Sequence, residues 1–250
     1  VAAFFFFFPL FIHEQNAIPG FTNRMLSHFA RRVFQAFPGA FPQGRKVMTT
    51  GNPVRAEIAA IPAPEKRWQE HGGPVRLLVV GGSQGAVALN KVVPEAFALL
   101  DHQKFEILHQ TGQKDADPTR ERYVALGIKA NVTPFITDMA DAYAWADAVI
   151  CRSGALTVSE IAAAGIGALL VPYPFAVDDH QTKNAEFLVN GGAAQLTQQK
   201  DLSAAKLAEL ISTHFSAREP LCEMAKASRK LAQPRATELL VNACVEALHA

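Results

Sequence analysis

Residues 147–165 read DAVICRSGALTVSEIAAAG. The first five form a short apolar run carrying Val149 and Ile150, the make-up of a buried strand. Arg152-Ser153-Gly154 then turns the chain, and a helix is predicted from about Ala155. The first N–H groups of a helix lack intrahelical partners and favour negative charge, so such a corner suits an anion. A lone acid, Glu160, follows about one turn into the helix. It could accept hydrogen bonds from two vicinal hydroxyls, as a ribose offers. It could equally be one of the acids that complement a helix start, and the residues alone favour that plainer reading.

The same grammar extends outward. From residue 75 onward, apolar runs at 75–80, 105–110, 131–136, 147–151, 168–173 and 193–197 alternate with helical segments near 86–100, 118–126, 138–146, 155–164 and 180–190. Continuous apolar strands interleaved with helices predict an α/β fold, a doubly wound parallel sheet covered on both faces. Ligands of such sheets bind beyond the carboxyl ends of the strands. Three further helices are predicted near 203–214, 218–231 and 235–249, the last restarting at Pro234.

The first fifty residues differ. A Gly/Pro-rich stretch, AFPGAFPQG, leads to GNPVR at 51–55, a stiffened boundary. So short a piece is expected to belong to something larger. The opening VAAFFFFFPLFI is apolar but shorter than the ~20 residues that span a bilayer, and reads as a strand with an apolar lead-in.

Composition excludes several classes. Of 250 residues, 49% are hydrophobic and 19% charged, which suits a globular core, and the net charge of +1 gives no field to recruit nucleic acid. Three cysteines without metal-ligand spacing point to a reducing compartment. No G-x-S-x-G elbow supports a hydrolase. Asp115-Ala116-Asp117 has a spacing that can hold a divalent ion, but it precedes Pro118 and reads as a helix cap, so neither metal nor cofactor is expected.

A second strand-to-helix corner follows VRLLVV: GGSQGAVALN, 81–90. Glycines there let backbone approach a phosphate or diphosphate at the next helix start. Ser83 breaks the dinucleotide fingerprint, and no Walker lysine follows. Asp178, Asp179, His180, Gln181 and Asn184 are expected at the same carboxyl edge. His13, Glu14, Gln15 and Asn16 end an apolar run in the N-terminal piece, and a hydrogen-bonded structural role for His13 is favoured over that of a base.

Taken in order, HEQNAIPGFTNR, QAFPGAF, GNPVR, VVGGSQGA, AYAWADAVICRSGALTVSEIAAAG and DDHQTKNA closely resemble the MurG family of bacterial N-acetylglucosaminyltransferases, from about residue 11 to residue 250. The resemblance implies a GT-B arrangement of two Rossmann-like domains. It implies transfer of N-acetylglucosamine from UDP-N-acetylglucosamine to the C4 hydroxyl of the muramoyl sugar of lipid I, with inversion, giving lipid II. The implied partners are that donor, lipid I at the membrane surface and other cell-wall synthesis proteins. The implied place is the cytoplasmic face of the plasma membrane, peripherally.

By motif matching, the resemblance assigns donor binding to Asn16, Arg55, Ser83, Ile136, Gln181 and the segment Ala155, Leu156, Thr157, Val158, Ser159 and Glu160. Glu160 would hold the ribose hydroxyls, Ile136 would lie against the uracil, and Ser83 with the Ala155 helix start would face the diphosphate. Residues 1–52 are then expected to be a remnant of the acceptor-side domain and linker, 53–232 the UDP-sugar-binding domain, and 233–250 a helix packing back towards the N-terminal part. The family also carries a glycine-rich, His-bearing loop, GTGGH, which these residues do not contain. No catalytic base is therefore assigned, and a UDP-sugar-binding module without turnover stands as the alternative.

Overall fold

The structure, a computed structural model, describes residues 9–70, 72–82 and 85–249. The phenylalanine run at 4–8, and Ser83, lie outside the described residues.

Two parallel sheets organise the chain. The first has three strands, β1 (Phe11–Glu14), β2 (Arg32–Gln35) and β3 (Val47–Thr49), in the order β1-β2-β3, with helix α1 (Phe21–Leu26) between the first two. Short helices α2 (Ala56–Ala59) and α3 (Pro64–Glu70) follow the GNPVR segment. The second sheet contains β4 (Val75–Val80), β5 (Phe105–Gln110), β6 (Asn131–Thr133), β7 (Ala148–Cys151), β8 (Gly167–Leu170) and β9 (Ala194–Leu196). Its spatial order is β6-β5-β4-β7-β8-β9, parallel throughout. The intervening helices are α4 (Val87–Phe97), α5 (Ala116–Ala125), α6 (Met139–Trp145), α7 (Ala155–Ala164) and α8 (His180–Asn190). Helices α9 (Ala204–His214), α10 (Arg218–Lys230) and α11 (Ala236–His249) close the chain. No helix among the described residues is long and apolar enough to cross a membrane.

This is the doubly wound pattern, with strand order reversing between β4 and β7. The crossover from β6 to β7 carries the chain back past β5 and β4, so a crevice opens at the carboxyl ends of β4 and β7. The central strands β4 and β7 are apolar apart from Arg76, because both faces are covered. Leu77 and Val79 of β4 pack with Leu89, Val93, Phe97, Leu207 and Ile211 on one face. On the other, Leu78 packs with Tyr143, Val149, Val158, Ile161 and Leu188. Ala36 and Phe37, just beyond β2, join that second core, and Phe37 meets Phe187 edge-on at 5.1 Å between centroids. The small sheet thus docks on the large one through its own apolar edge. Ala236, at the start of α11, is buried, and with Gln233 it abuts Gly51 and a cavity of ≈ 30 Å³ that Phe37 and Asn52 also line.

Two strands end sooner than the apolar runs suggest. β6 stops at Thr133 because Pro134 has no N–H to donate, and β8 stops at Leu170, two residues before Pro172. Helix α5 begins at Ala116, earlier than Pro118, and takes Asp117 and Pro118 into its first turn.

Arg67 of α3 ties the ends of two helices that matter below. Its guanidinium donates to the carbonyls of Tyr143 (3.2 Å) and Ala146 (3.5 Å) at the end of α6, and to Ala164 (3.0 Å) and Gly165 at the end of α7. Burial, with the nearby Arg229, lowers its pKa to about 10, which leaves it charged at neutral pH. A cation there also meets the negative ends of two helix dipoles. Arg67→Met is expected to cost roughly 2–4 kcal/mol, because it strips donors from carbonyls that stay buried. Urea denaturation of the two proteins measures it.

Candidate functional site

The crevice is walled by the two glycine-bearing corners. At the first, β4 runs into Gly81 and Gly82, and Gly85 precedes α4. A Cβ on Gly85 (φ +76°) would lie 2.3 Å from the Thr111 carbonyl oxygen, so only glycine lets the loop lie this close to β5. Gln110, the last residue of β5, braces the loop from below. Its Oε1 accepts from the Gly82 N–H (3.0 Å), and its Nε2 donates to the carbonyls of Gly82 (3.0 Å) and Pro134 (2.9 Å).

Behind this corner runs a buried polar chain. Asn90 Nδ2 donates to the Thr111 carbonyl and to Asp115 Oδ2, both at 2.9 Å. Its Oδ1 must therefore accept, and it does so from His109 Nε2 at 3.1 Å. His109 Nδ1 is then left to accept from the Tyr123 hydroxyl at 3.0 Å. Each member has a partner, and His109 is neutral: burial lowers its pKa to about 3. Asp115 is thus held in this chain while Asp117 pairs with Arg120. Among the described residues, no three His, Cys, Asp or Glu side chains converge as a metal site.

At the second corner, β7 ends at Cys151, and Gly154 stands at the N-cap position of α7 without a side-chain cap. The amides of Ala155, Leu156 and Thr157 therefore open the helix without a capping side chain, the condition that favours an anion. Burial pushes the Cys151 thiol up to about 12, so this cysteine is an inert core residue. Glu160 is the sixth residue of α7, beyond the first turn. An acid in the second turn does little for the helix dipole.

Between the corners lies a cavity of ≈ 230 Å³. Arg55, Gly82, Gln110, Ile136, Tyr143, Thr157 and Glu160 are among its lining residues. Glu160 Oε1 accepts from Arg55 Nη2 at 3.4 Å, and Oε2 accepts from the Tyr143 hydroxyl at 3.2 Å. Burial, then the neighbouring Glu160, raises the Tyr143 pKa well above the ordinary phenol value.

The remaining predicted residues fall elsewhere. Val158 turns into the core beneath the sheet. Ser159 donates to the Ala155 carbonyl (3.0 Å) and accepts from Asn52 (3.1 Å), which ties α7 to the linker. Leu156 is exposed. Gln181 Oε1 accepts from the Tyr173 N–H at 2.9 Å and braces the loop after β8. Asn16 lines a second cavity, ≈ 460 Å³, with His13, Glu14, Asp178 and His180. Asp178 and Asp179 both have φ 52°, the left-handed region that strains a non-glycine residue, at the rim of that cavity.

The two halves are stitched at this rim. Glu14, though buried, accepts from the N–H groups of Asn16 (2.9 Å) and Gly20 (3.0 Å) and from Asn23 Nδ2 (2.9 Å). Asn16 Oδ1 in turn accepts from Asn184 Nδ2 (3.1 Å), which also donates to the Ser153 carbonyl (3.2 Å) at the second corner. His13 Nε2 contacts the Gly51 carbonyl at 3.1 Å, the hydrogen-bonded role expected of it. Asn184 stands at the carboxyl edge where it was expected, whereas Tyr143 and Gln110 were not anticipated as site residues. Gln110 alone left a trace in the sequence, a polar side chain closing an apolar strand.

A doubly wound sheet with two anion-ready corners and a carboxylate between them has the form of a site for a phosphate-bearing ligand. Residues 76–240 match the glycosyltransferase family 28 C-terminal domain and residues 1–35 its N-terminal domain, and the chain belongs to that family. Within it, the chain is 50% identical over 248 residues to the UDP-N-acetylglucosamine–N-acetylmuramyl-(pentapeptide) pyrophosphoryl-undecaprenol N-acetylglucosamine transferase of Marinobacter nauticus, covering 99% of this chain and 68% of that one. The protein of the same name from Paraburkholderia xenovorans is 53% identical over 94% of this chain and 63% of its own length. The crystal structure of Acinetobacter baumannii MurG superposes with a TM-score of 0.87 at 44% identity, over 96% of this chain and 67% of that one. The resemblance expected from the motifs is borne out, and the chain spans about two thirds of the length of these relatives.

Proposed function

We propose that the chain binds UDP-N-acetylglucosamine across the two corners and supplies the donor side of an inverting transfer of N-acetylglucosamine to lipid I, which forms lipid II. One observation carries the reading: Glu160, Arg55, Ile136 and Thr157 line one cavity in the crevice where strand order reverses. Glu160 accepts from the ribose hydroxyls, and Ile136 lies against the uracil. Ser83 and the first amides of α7, at Ala155 to Thr157, face the diphosphate. Asn16 and Gln181 border the sugar from the rim. Residues 53–232 act as the donor domain, residues 1–52 belong to the acceptor side, and the 233–250 helix packs back on the latter.

The chemistry is a single displacement. The acceptor C4 oxygen attacks the anomeric carbon, the bond from that carbon to the β-phosphate oxygen breaks, and UDP leaves with added negative charge. Amide dipoles already aimed at that charge, with Arg55 nearby, stabilise it without rearrangement during the step. A base takes the acceptor proton. The acceptor is a membrane lipid, so the reaction belongs at the cytoplasmic membrane face, with the protein bound peripherally.

Titration calorimetry with UDP-N-acetylglucosamine, beside a transfer assay on a lipid I analogue, tests the proposal. Saturable binding is expected, and product formation beside it would show that these residues also serve the acceptor. Binding without product would place the acceptor machinery beyond these 250 residues. Absence of binding would overturn the reading.

A further inference from the structure

We propose that Tyr143 is a positioning residue for nucleotide selectivity: its buried hydroxyl fixes the Glu160 carboxylate so that the site distinguishes ribose from deoxyribose. The inference rests on the donor-site reading above and adds a residue outside the predicted set.

An ionised carboxylate has two oxygens and about four lone-pair positions, all acceptors. Two are used in this structure, from opposite sides. Tyr143 donates to Oε2 and Arg55 to Oε1. About two positions remain, and Glu160, Tyr143 and Arg55 all line the same cavity. A vicinal diol presents two donors, which matches.

The two anchors differ in kind. Arg55 projects from the linker with its side chain 57% exposed, so its pairing is weak and free to exchange with solvent. Tyr143 is 1% exposed, packed in the core against Val149 and Ile161, and its hydroxyl bonds Glu160 alone among the described residues. Its backbone is pinned as well, through the Arg67 bond to its carbonyl. The phenol is therefore the rigid anchor. It stays protonated at any pH the protein meets, since burial opposes the phenolate. Its donated bond to Oε2 fixes the plane of the carboxylate. A carboxylate left to rotate would meet one hydroxyl nearly as well as two, and discrimination would fall.

The test compares UDP and 2′-deoxy-UDP by calorimetry on the full chain, as wild type and as Tyr143→Phe. Wild type should prefer UDP. In Tyr143→Phe the preference should shrink about tenfold, the low end of the value of one hydrogen bond to a charged group, with 2′-deoxy-UDP affinity changing less than about twofold. A merely structural role would weaken both nucleotides together and leave their ratio alone. Glu160→Asp, whose carboxylate sits one methylene short of the Tyr143 hydroxyl, should narrow the ratio in the same direction. An unchanged ratio in Tyr143→Phe, with wild type preferring UDP and Glu160→Asp narrowing the ratio, overturns the role of Tyr143 and leaves the donor site standing; an unchanged ratio in both variants overturns the role of Tyr143 and removes Glu160 as the ribose contact. Failure of wild type to bind UDP overturns both.

Discussion

Glu160→Ala is expected to weaken UDP binding on the order of a hundredfold, the loss of two charge-assisted hydrogen bonds at about 1.5 kcal/mol each. The geometry sets that size. Glu160 lines the cavity between the corners, one oxygen on Arg55 and the other on Tyr143, in a wall shared with Ile136 and Thr157. The substitution deletes the acceptors and leaves the helix start intact, so diphosphate contacts should survive and binding should weaken without vanishing. The fold should hold, because only the Tyr143 hydroxyl loses a buried partner, at a cost of about 1–3 kcal/mol. Calorimetric titration with UDP, with melting curves as the control for folding, checks the prediction. An affinity unchanged by the substitution would remove Glu160 from the site.

Stability is expected to fall steadily as pH drops below 6.5, with His109 the largest single cause. Burial lowers its folded pKa from the ordinary 6.5 to about 3. Between those values the unfolded chain takes up a proton that the folded chain refuses. The contribution is therefore fully present above pH 6.5 and is lost towards pH 3, at up to about 1.4 kcal/mol per pH unit. The hydrogen bonds explain the refusal. Nε2–H is committed to Asn90 Oδ1, and Nδ1 must accept from Tyr123, so a second proton would set two donors against each other. Urea unfolding at pH 7, 6 and 5 measures the slope. His109→Leu should be less stable at pH 7 by about 2–4 kcal/mol, with Asn90 Oδ1 and the Tyr123 hydroxyl left unpaired, and should show a shallower pH slope. Equal slopes in the two proteins would assign the acid sensitivity to other groups.

The strands and helices were legible because the central strands are almost wholly apolar, Arg76 apart, and a sheet covered on both faces leaves no other use for runs such as VRLLVV and AVIC. The glycine-bearing corners were legible for the same local reason, since Gly85 cannot carry a Cβ beside Thr111. Where the strands stop was less so: Pro134 cuts β6 short by a local rule, yet the apolar run continues to Ile136. The assignment of roles to Arg55 and Ile136 came from the family resemblance, because nothing in their local sequence marks them. Tyr143 escaped altogether, and Asn184 was legible as a residue of the carboxyl edge but not through its partner. Tyr143 sits on the buried face of α6 at ordinary core spacing, and only the fold turns its hydroxyl to Glu160. Asn184 meets Asn16 from 168 residues away, a separation at which no local pattern speaks. The long-range polar contacts that complete the site are set by tertiary packing.

The most direct measurement is a crystal structure of this chain with UDP. The account predicts uridine in the cavity beside Ile136, both ribose hydroxyls on the Glu160 carboxylate, and the diphosphate against the first amides of α7 and the glycine-rich turn. A nucleotide seated elsewhere, for instance in the ≈ 850 Å³ groove by Trp145 at the opposite edge of the sheet, would contradict it.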